Sequence, residues 1–240
     1  MKCYCRETDS TFDLCVEGVE SARLEEVILH MAWVKADGMF LMEFSQNAFS
    51  NQREKNMISE NFSRLGQAVF ESPIKGFDWE KPLETLAQAF NSNGIEWYVV
   101  GSAGDALRGV GVKPFDIDVV IHTKDYFRAK ELCYQKFPDA VIAPFTEGEK
   151  VCPLRFFGRL FMFGAMIDVA ADEIWNRETR QKKFGGFASS VSGYEKTSWN
   201  GNELYLESLP LRYQIEIARG REGRVRAFEE YMDGRGIPYK

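Results

Sequence analysis

Asp116 and Asp118 stand one residue apart in an otherwise apolar stretch, Phe115-Asp116-Ile117-Asp118-Val119-Val120-Ile121. Side chains alternate across a β-strand, so this spacing puts both carboxylates on one face and Phe115, Ile117 and Val119 on the other. Burial of the apolar face would hold the two acids rigidly side by side. Adjacent carboxylates repel unless a cation neutralises them. Mg²⁺, a hard ion that takes carboxylate oxygens together with substrate phosphates, suits such a pair. Just upstream, Val99-Val100-Gly101-Ser102-Ala103-Gly104-Asp105-Ala106-Leu107-Arg108 reads as an apolar strand, a Gly-Ser turn and a short helix. Gly101 lets the backbone approach a ligand closely, and Ser102 offers a hydroxyl and an amide near a helix N-terminus, where phosphate is favoured. Each half alone has a plain structural reading, because Asp-x-Asp is common in surface loops and Gly-Ser-Ala-Gly usually makes a turn. A further acid, Asp168, is embedded in the apolar run from Leu160 to Ala170. An unpaired carboxylate in so apolar a strand is costly to bury.

An apolar residue followed by Gly-Ser and, after a spacer, Asp-x-Asp within an apolar strand resembles the signature of the polymerase-beta-like nucleotidyltransferase superfamily. Val100-Gly101-Ser102 and Asp116-Ile117-Asp118 carry the match, with a spacer toward the long end of the family's range. The resemblance implies a mixed α+β sheet with packed helices and a third carboxylate on a later strand, the place that Asp168 fills. It further implies transfer of a nucleoside monophosphate from an NTP to an acceptor hydroxyl, with release of pyrophosphate. Asp116, Asp118 and Asp168 would then hold two Mg²⁺ ions, which stabilise the attacking and leaving oxygens of an in-line displacement. Gly101 and Ser102 would cradle the phosphates, and Asp168 would orient or deprotonate the acceptor hydroxyl. Arg108, farther along the same helix, either reaches phosphate or faces the surface.

The tail, Leu209 to Arg221 and then Arg224 to Met232, reads as two helices broken at Gly220 to Gly223. It is similar to the C-terminal helical region of small bacterial nucleotidyltransferases of the antibiotic-modifying and toxin–antitoxin-associated types. Those members often carry a Lys in the first helix and a Lys-Asp pair opening the second. Here Glu216 falls near the lysine position and Gly223-Arg224 near the pair. Arg219, Arg221 and Arg224 either replace that positive charge on the triphosphate or form a solvated helix-end cluster. The departure keeps an alternative open: a catalytically silent antitoxin or nucleotide-binding regulator on the same fold.

The chain around these residues has 240 residues and a net charge of −6, with 45% hydrophobic residues. That is ample for a core, and it offers no basic track for a long nucleic acid. With the hydroxyl acceptor that the resemblance implies, this makes a small molecule or a protein the acceptor expected. No apolar run has membrane-spanning length and Met1-Lys2-Cys3-Tyr4-Cys5 opens no signal peptide, so a cytoplasmic location is expected. The cysteines Cys3, Cys5, Cys15, Cys133 and Cys152 lack zinc-site spacing and read as reduced thiols. His30 and His122 attract no role.

Residues 1–75 read as a small α+β module for acceptor or partner recognition, or as a structural cap, and residues 76–240 as the nucleotidyltransferase-like domain. A homodimer, or a protein partner docked through residues 1–75, would suit this arrangement. Within the module Thr11 to Val16 alternates like a strand, Glu20 to Met31 has helical spacing, and Trp33 to Phe44 forms a hairpin about Asp37-Gly38. A helix follows from about Glu54 to Phe70, and Glu71 to Pro82 reads as a linker. Farther on, helices are expected over Leu83–Phe90 and Asp125–Lys136, and strands over Ile95–Val100, Ala140–Ile142 and Leu154–Phe157.

Overall fold

The computed structural model describes residues 1–147, 156–171, 173–175, 182–184 and 194–239. The chain begins with an antiparallel sheet made of β1 (Lys2–Glu7), β2 (Thr11–Glu17), β3 (Val34–Ala36) and β4 (Met39–Ser45), in the order β1-β2-β4-β3. Helix α1 (Ala22–His30) separates β2 from β3, and the Ser21 side chain caps its start by accepting from the Leu24 amide. Asp37 and Gly38 take φ of 49° and 80°, the left-handed pair that joins β3 to β4 in a tight hairpin, as the sequence suggests.

Helix α2 (Gln52–Lys75) is longer than its sequence pattern implies. The expected linker from Glu71 is helical to Lys75, and α3 (Glu80–Ser92) starts soon after. Pro73 is tolerated because the carbonyl it leaves without an amide donor, that of Val69, accepts a bond from Ser72 Oγ at 3.1 Å. Gly76, at φ 82°, then ends the helix.

A seven-stranded mixed sheet carries the rest. Its members are β5 (Trp97–Val100), β6 (Ile117–Ile121), β7 (Val141–Glu147), β8 (Phe156–Met162), β9 (Ala165–Ala171), β12 (Tyr194–Trp199) and β13 (Asn202–Glu207). The order across the sheet is β12-β13-β5-β6-β9-β8-β7, while β10 (Glu173–Trp175) and β11 (Lys182–Phe184) form a separate antiparallel pair. Helix α4 (Gly101–Arg108) follows β5, α5 (Tyr126–Lys136) follows β6, and α6 (Leu209–Ala218) and α7 (Glu222–Asp233) close the chain. The fold is thus α+β.

Two features differ from the sequence reading. The run from Leu160 to Ala170 is not one strand: Phe163 and Gly164, at φ 52° and 80°, turn it into the β8–β9 hairpin. The β12–β13 hairpin, turned by Asn200 and Gly201 at φ 47° and 75°, went unread between the Asp168 strand and the C-terminal helices. The expected strand at Leu154–Phe157 lies partly outside the described residues, as does Cys152. Cys3, Cys5, Cys15 and Cys133 are free thiols. No helix among the described residues is long and apolar enough to cross a membrane.

One continuous apolar core joins Phe12, Ile58 and Phe70 to Val99, Val119, Leu160 and Ile167 of the large sheet. Helix α2 is its hinge piece. Gly66 lets the helix settle on β1, because a Cβ there would come 2.6 Å from that of Cys3. On its other side, Asn61 Nδ2 donates to the carbonyls of Pro138 and Val141 at 2.7 and 2.9 Å. A smaller core of Tyr213, Phe228 and Met232 holds α6 against α7.

Candidate active site

The pairing register of the large sheet assembles the acids. Asp118 pairs with Asp168 across the parallel β6–β9 ladder, and Asp168 pairs with Arg159 across the antiparallel β9–β8 ladder. Partners in register project to the same face, so Asp118, Asp168 and Arg159 form one row. Asp116 precedes β6 by one residue and joins them. Ile117, Val119 and Ile121 are buried on the opposite face, which is the alternation that the sequence implies. Asp116, Asp118 and Asp168 each offer one carboxylate oxygen, and these atoms all lie within 4.8 Å of one another. Each residue keeps part of its surface exposed.

Such crowding shifts ionisation. Burial, and then the neighbouring Asp168, pushes the Asp116 carboxyl up to about 7, against relief from Arg159, Arg224 and Arg221. Asp118 is driven well above the usual carboxylate range by burial and by the charges of Asp116 and Asp168. Arg159, only 4% exposed, was missed by sequence reading. It grips Asp168 with both ends of its fork, Nε to Oδ1 at 2.6 Å and Nη2 to Oδ2 at 2.8 Å. Burial opposes the Arg159 charge, but Asp168, Asp116 and Asp118 outweigh it and hold its pKa up. The signal was available: an arginine amid Phe156-Phe157-Gly158-Arg159-Leu160-Phe161 is as anomalous as Asp168 in its own strand. Three carboxylates against one guanidinium leave a charge of −2 when all are ionised. An all-oxygen donor set with that excess fits a hard divalent cation.

Gly101 and Ser102 border the row. Gly101 opens α4 at φ 64°, and a Cβ there would stand 2.9 Å from Asp118 Oδ2, so any side chain at this turn would strain the backbone and push the acid aside. Ser102 is buried, and its Oγ accepts from the Phe115 amide at 3.4 Å, which ties the turn to the residue before Asp116. Glu207, at the end of β13, accepts from the Gly101 amide; burial raises its pKa, while Arg212 and that bond oppose the rise. Arg108 is drawn elsewhere. Its Nε binds Glu195 at 3.1 Å and its Nη2 binds the Glu207 carbonyl, so it ties α4 to the β12–β13 hairpin. A structural role thus accounts for Arg108 where the sequence offered phosphate or open surface.

The tail brings charge to the same place. Arg221 and Arg224 act electrostatically on Asp116 and also on His30 at the end of α1. His30 packs edge-on against Phe115, with ring centroids 4.7 Å apart. Glu216, fully buried, lies 3.6 Å from Arg221 and 3.8 Å from Arg224. It also accepts from Arg212 at 2.6 Å, and Arg212 forks onto Asp105 of α4 at 3.0 and 2.8 Å. Glu216 therefore anchors arginines instead of replacing a lysine, while Arg219 is exposed. A cavity of about 530 Å³, lined by Tyr213, Tyr231, Tyr239 and Arg108, opens at the far end of α4 and includes none of the three aspartates.

No family model matches the chain, and no curated protein sequence matches it. Among solved structures it is similar to a Thermotoga maritima protein described provisionally as a nucleotidyltransferase, with 17% identity, a TM-score of 0.47, and coverage of 64% of this chain and 92% of that one. It is also similar to the lincosamide antibiotic adenylyltransferase LnuA in its lincomycin-bound form. There the identity is 12% and the TM-score 0.46, with 64% of this chain and 98% of that one covered. A third is ANT(2")-Ia in complex with adenylyl-2"-tobramycin, with 9% identity, a TM-score of 0.43, and coverage of 63% and 88%.

Proposed function

We propose that this chain is a metal-dependent nucleotidyltransferase of the superfamily its signature resembles. It would move a nucleoside monophosphate from an NTP to a hydroxyl of a small-molecule or protein acceptor and release pyrophosphate. The observation that carries the reading is the register-built row of Asp118 and Asp168, with Asp116 beside it, facing the glycine that opens α4. In this reading the cluster of Asp116, Asp118 and Asp168 would be the seat of divalent metal, and metal bound there would supply charge neutralisation on the reacting phosphate oxygens.

The chain's own groups do the rest. The amides after Gly101 and the Ser102 hydroxyl bind the terminal phosphates. Arg221 and Arg224, held by Glu216, add positive charge on the side of Asp116. Asp168 orients the acceptor hydroxyl or takes its proton. The acceptor oxygen bonds to the α-phosphorus as the bond to the bridging oxygen of the pyrophosphate breaks, and pyrophosphate leaves with that electron pair. Positioning and charge neutralisation account for the rate, as is usual for transfer at phosphorus. The NTP donor makes the cytoplasm the place of reaction. Residues 1–75 belong to acceptor or partner recognition in this scheme, supported by the contact of His30 with Phe115 at the edge of the acid row.

One observation favours a second reading: Asp168 already has a cationic partner in Arg159, as a silent nucleotide-binding regulator would permit. Calorimetric titration with Mg²⁺ and each of the four NTPs separates the cases, comparing wild type with an Asp116→Asn/Asp118→Asn double variant. Metal-dependent binding of one NTP that disappears in the variant supports the site and names the donor. Binding of no NTP in the presence of metal would sink the proposal. Binding with no pyrophosphate released from any acceptor would leave the regulator.

A further inference from the structure

The resemblance implies two metal ions shared among three acids. The pairing of Asp168 argues for a different count. Both Asp168 oxygens receive guanidinium hydrogen bonds, at 2.6 and 2.8 Å, and the Arg159 and Asp168 side chains are only 5% and 16% exposed. The fork has little room to swing away. It stands directly opposite Asp168 in the antiparallel register, and the Phe157 ring lies 5.3 Å from the guanidinium carbon. Arginine keeps its charge at any working pH. A second divalent ion at Asp168 would therefore sit beside a fixed, desolvated positive charge, where like-charge repulsion is weakly screened.

We infer that this site holds a single divalent cation, bound by Asp116 and Asp118, and that the Arg159 guanidinium stands on Asp168 in place of a second ion. The inference rests on the nucleotidyltransferase reading and deepens it. Within the row itself, three carboxylates and one guanidinium leave −2, the charge that a single divalent ion matches. Arg159 is then a positioning residue, acting through Asp168. Asp168 remains available to an acceptor hydroxyl, since each carboxylate oxygen has a second lone pair beyond the one that faces Arg159.

The test counts Mn²⁺ bound per chain. Protein-bound Mn²⁺ is separated from free ion and free Mn²⁺–nucleotide by rapid ultrafiltration and counted by electron paramagnetic resonance, using the full chain with an equimolar non-hydrolysable NTP analogue. Wild type is expected to hold one ion. Arg159→Gln, which frees Asp168, is expected to hold two, and Arg159→Lys, which keeps the charge, one. Two ions on wild type would overturn the inference while leaving the proposed function standing. A count of one on folded Arg159→Gln would also overturn it. No protein-bound ion on wild type, or an unchanged count in Asp116→Asn/Asp118→Asn, would instead remove the proposed function and the inference with it. Thermal melts of each variant establish that it is folded, and the wild-type count decides the matter even where Arg159→Gln is not.

Discussion

Asp116 holds its proton more tightly in the folded chain than in the unfolded one, with a pKa of about 7 against an ordinary 3.8, because burial and Asp168 disfavour its charge. The sign follows from linkage. Between those two values the native state binds more protons, so the metal-free protein loses stability as pH rises through this window, and the loss is complete above about 7. Asp116→Asn removes the penalty. With chelator present it should be more stable than wild type at pH 8, by up to about 4 kcal/mol, and close to wild type near pH 4. An equal difference at both values would show that charge is not the cause. Added Mg²⁺ should narrow the gap at pH 8 by stabilising only the wild type, and transfer should be lost in the variant. Gly101→Ala tests the neighbouring constraint. Its Cβ would meet Asp118 Oδ2 at 2.9 Å and must adopt a left-handed φ. We expect about 1–2 kcal/mol of destabilisation from the backbone and roughly tenfold weaker metal binding from the displaced carboxylate, read by chemical denaturation and by metal titration.

At the scale of elements, the ion network around Arg212 locks α4 to α6 and sets the arginines of the α6–α7 turn. Arg212, Asp105 and Glu216 are at most 3% exposed, so removing the guanidinium strips Asp105 of its buried partner and leaves Glu216 only the longer contacts to Arg221 and Arg224. Arg212→Met should cost about 3–5 kcal/mol and should also raise KM for the NTP, since Arg221 and Arg224 lose the anchored Glu216 beneath them. Denaturation curves and steady-state kinetics check the two effects separately. The same network marks where sequence reading ran out. Asp116 and Asp118 were legible because a period-two alternation reports which side chains share a face, and Asp37-Gly38 because that turn needs residues tolerant of positive φ. Asp168 stood out by polarity alone. Arg159 stood out equally, but its significance depends on a strand register, which local pattern does not encode. The Phe163-Gly164 turn hid because phenylalanine is a poor marker of a bend, so two strands read as one. Asn200-Gly201 is a strong hairpin signal, and reading it would have given the β12–β13 pair, though not its place beside β5. Glu216 was matched to a lysine position by spacing, yet its burial and its arginine partners belong to tertiary structure.

Across the whole molecule, the continuous core ties residues 1–75 to the sheet that bears the acids. A fragment beginning at Gly76 would leave β7 without α2 and the Asn61 amide that reaches the Pro138 and Val141 carbonyls. We expect that fragment to be insoluble or unfolded, and the full chain to unfold in one step. Tryptophan fluorescence and far-ultraviolet circular dichroism should give coincident denaturant curves; two separated transitions would establish an independent first module. The arrangement also has a consequence during synthesis. The β1–β4 sheet is built from neighbouring segments and can close as soon as it leaves the ribosome. Helix α2, whose far side rests on β7, must wait for the strands that end at Ala171. At cellular elongation rates that interval is about 5–20 s. A nascent chain stalled in it would show a half-dressed apolar helix, so chaperone occupancy along the messenger should peak between the codons for Lys75 and Ala171.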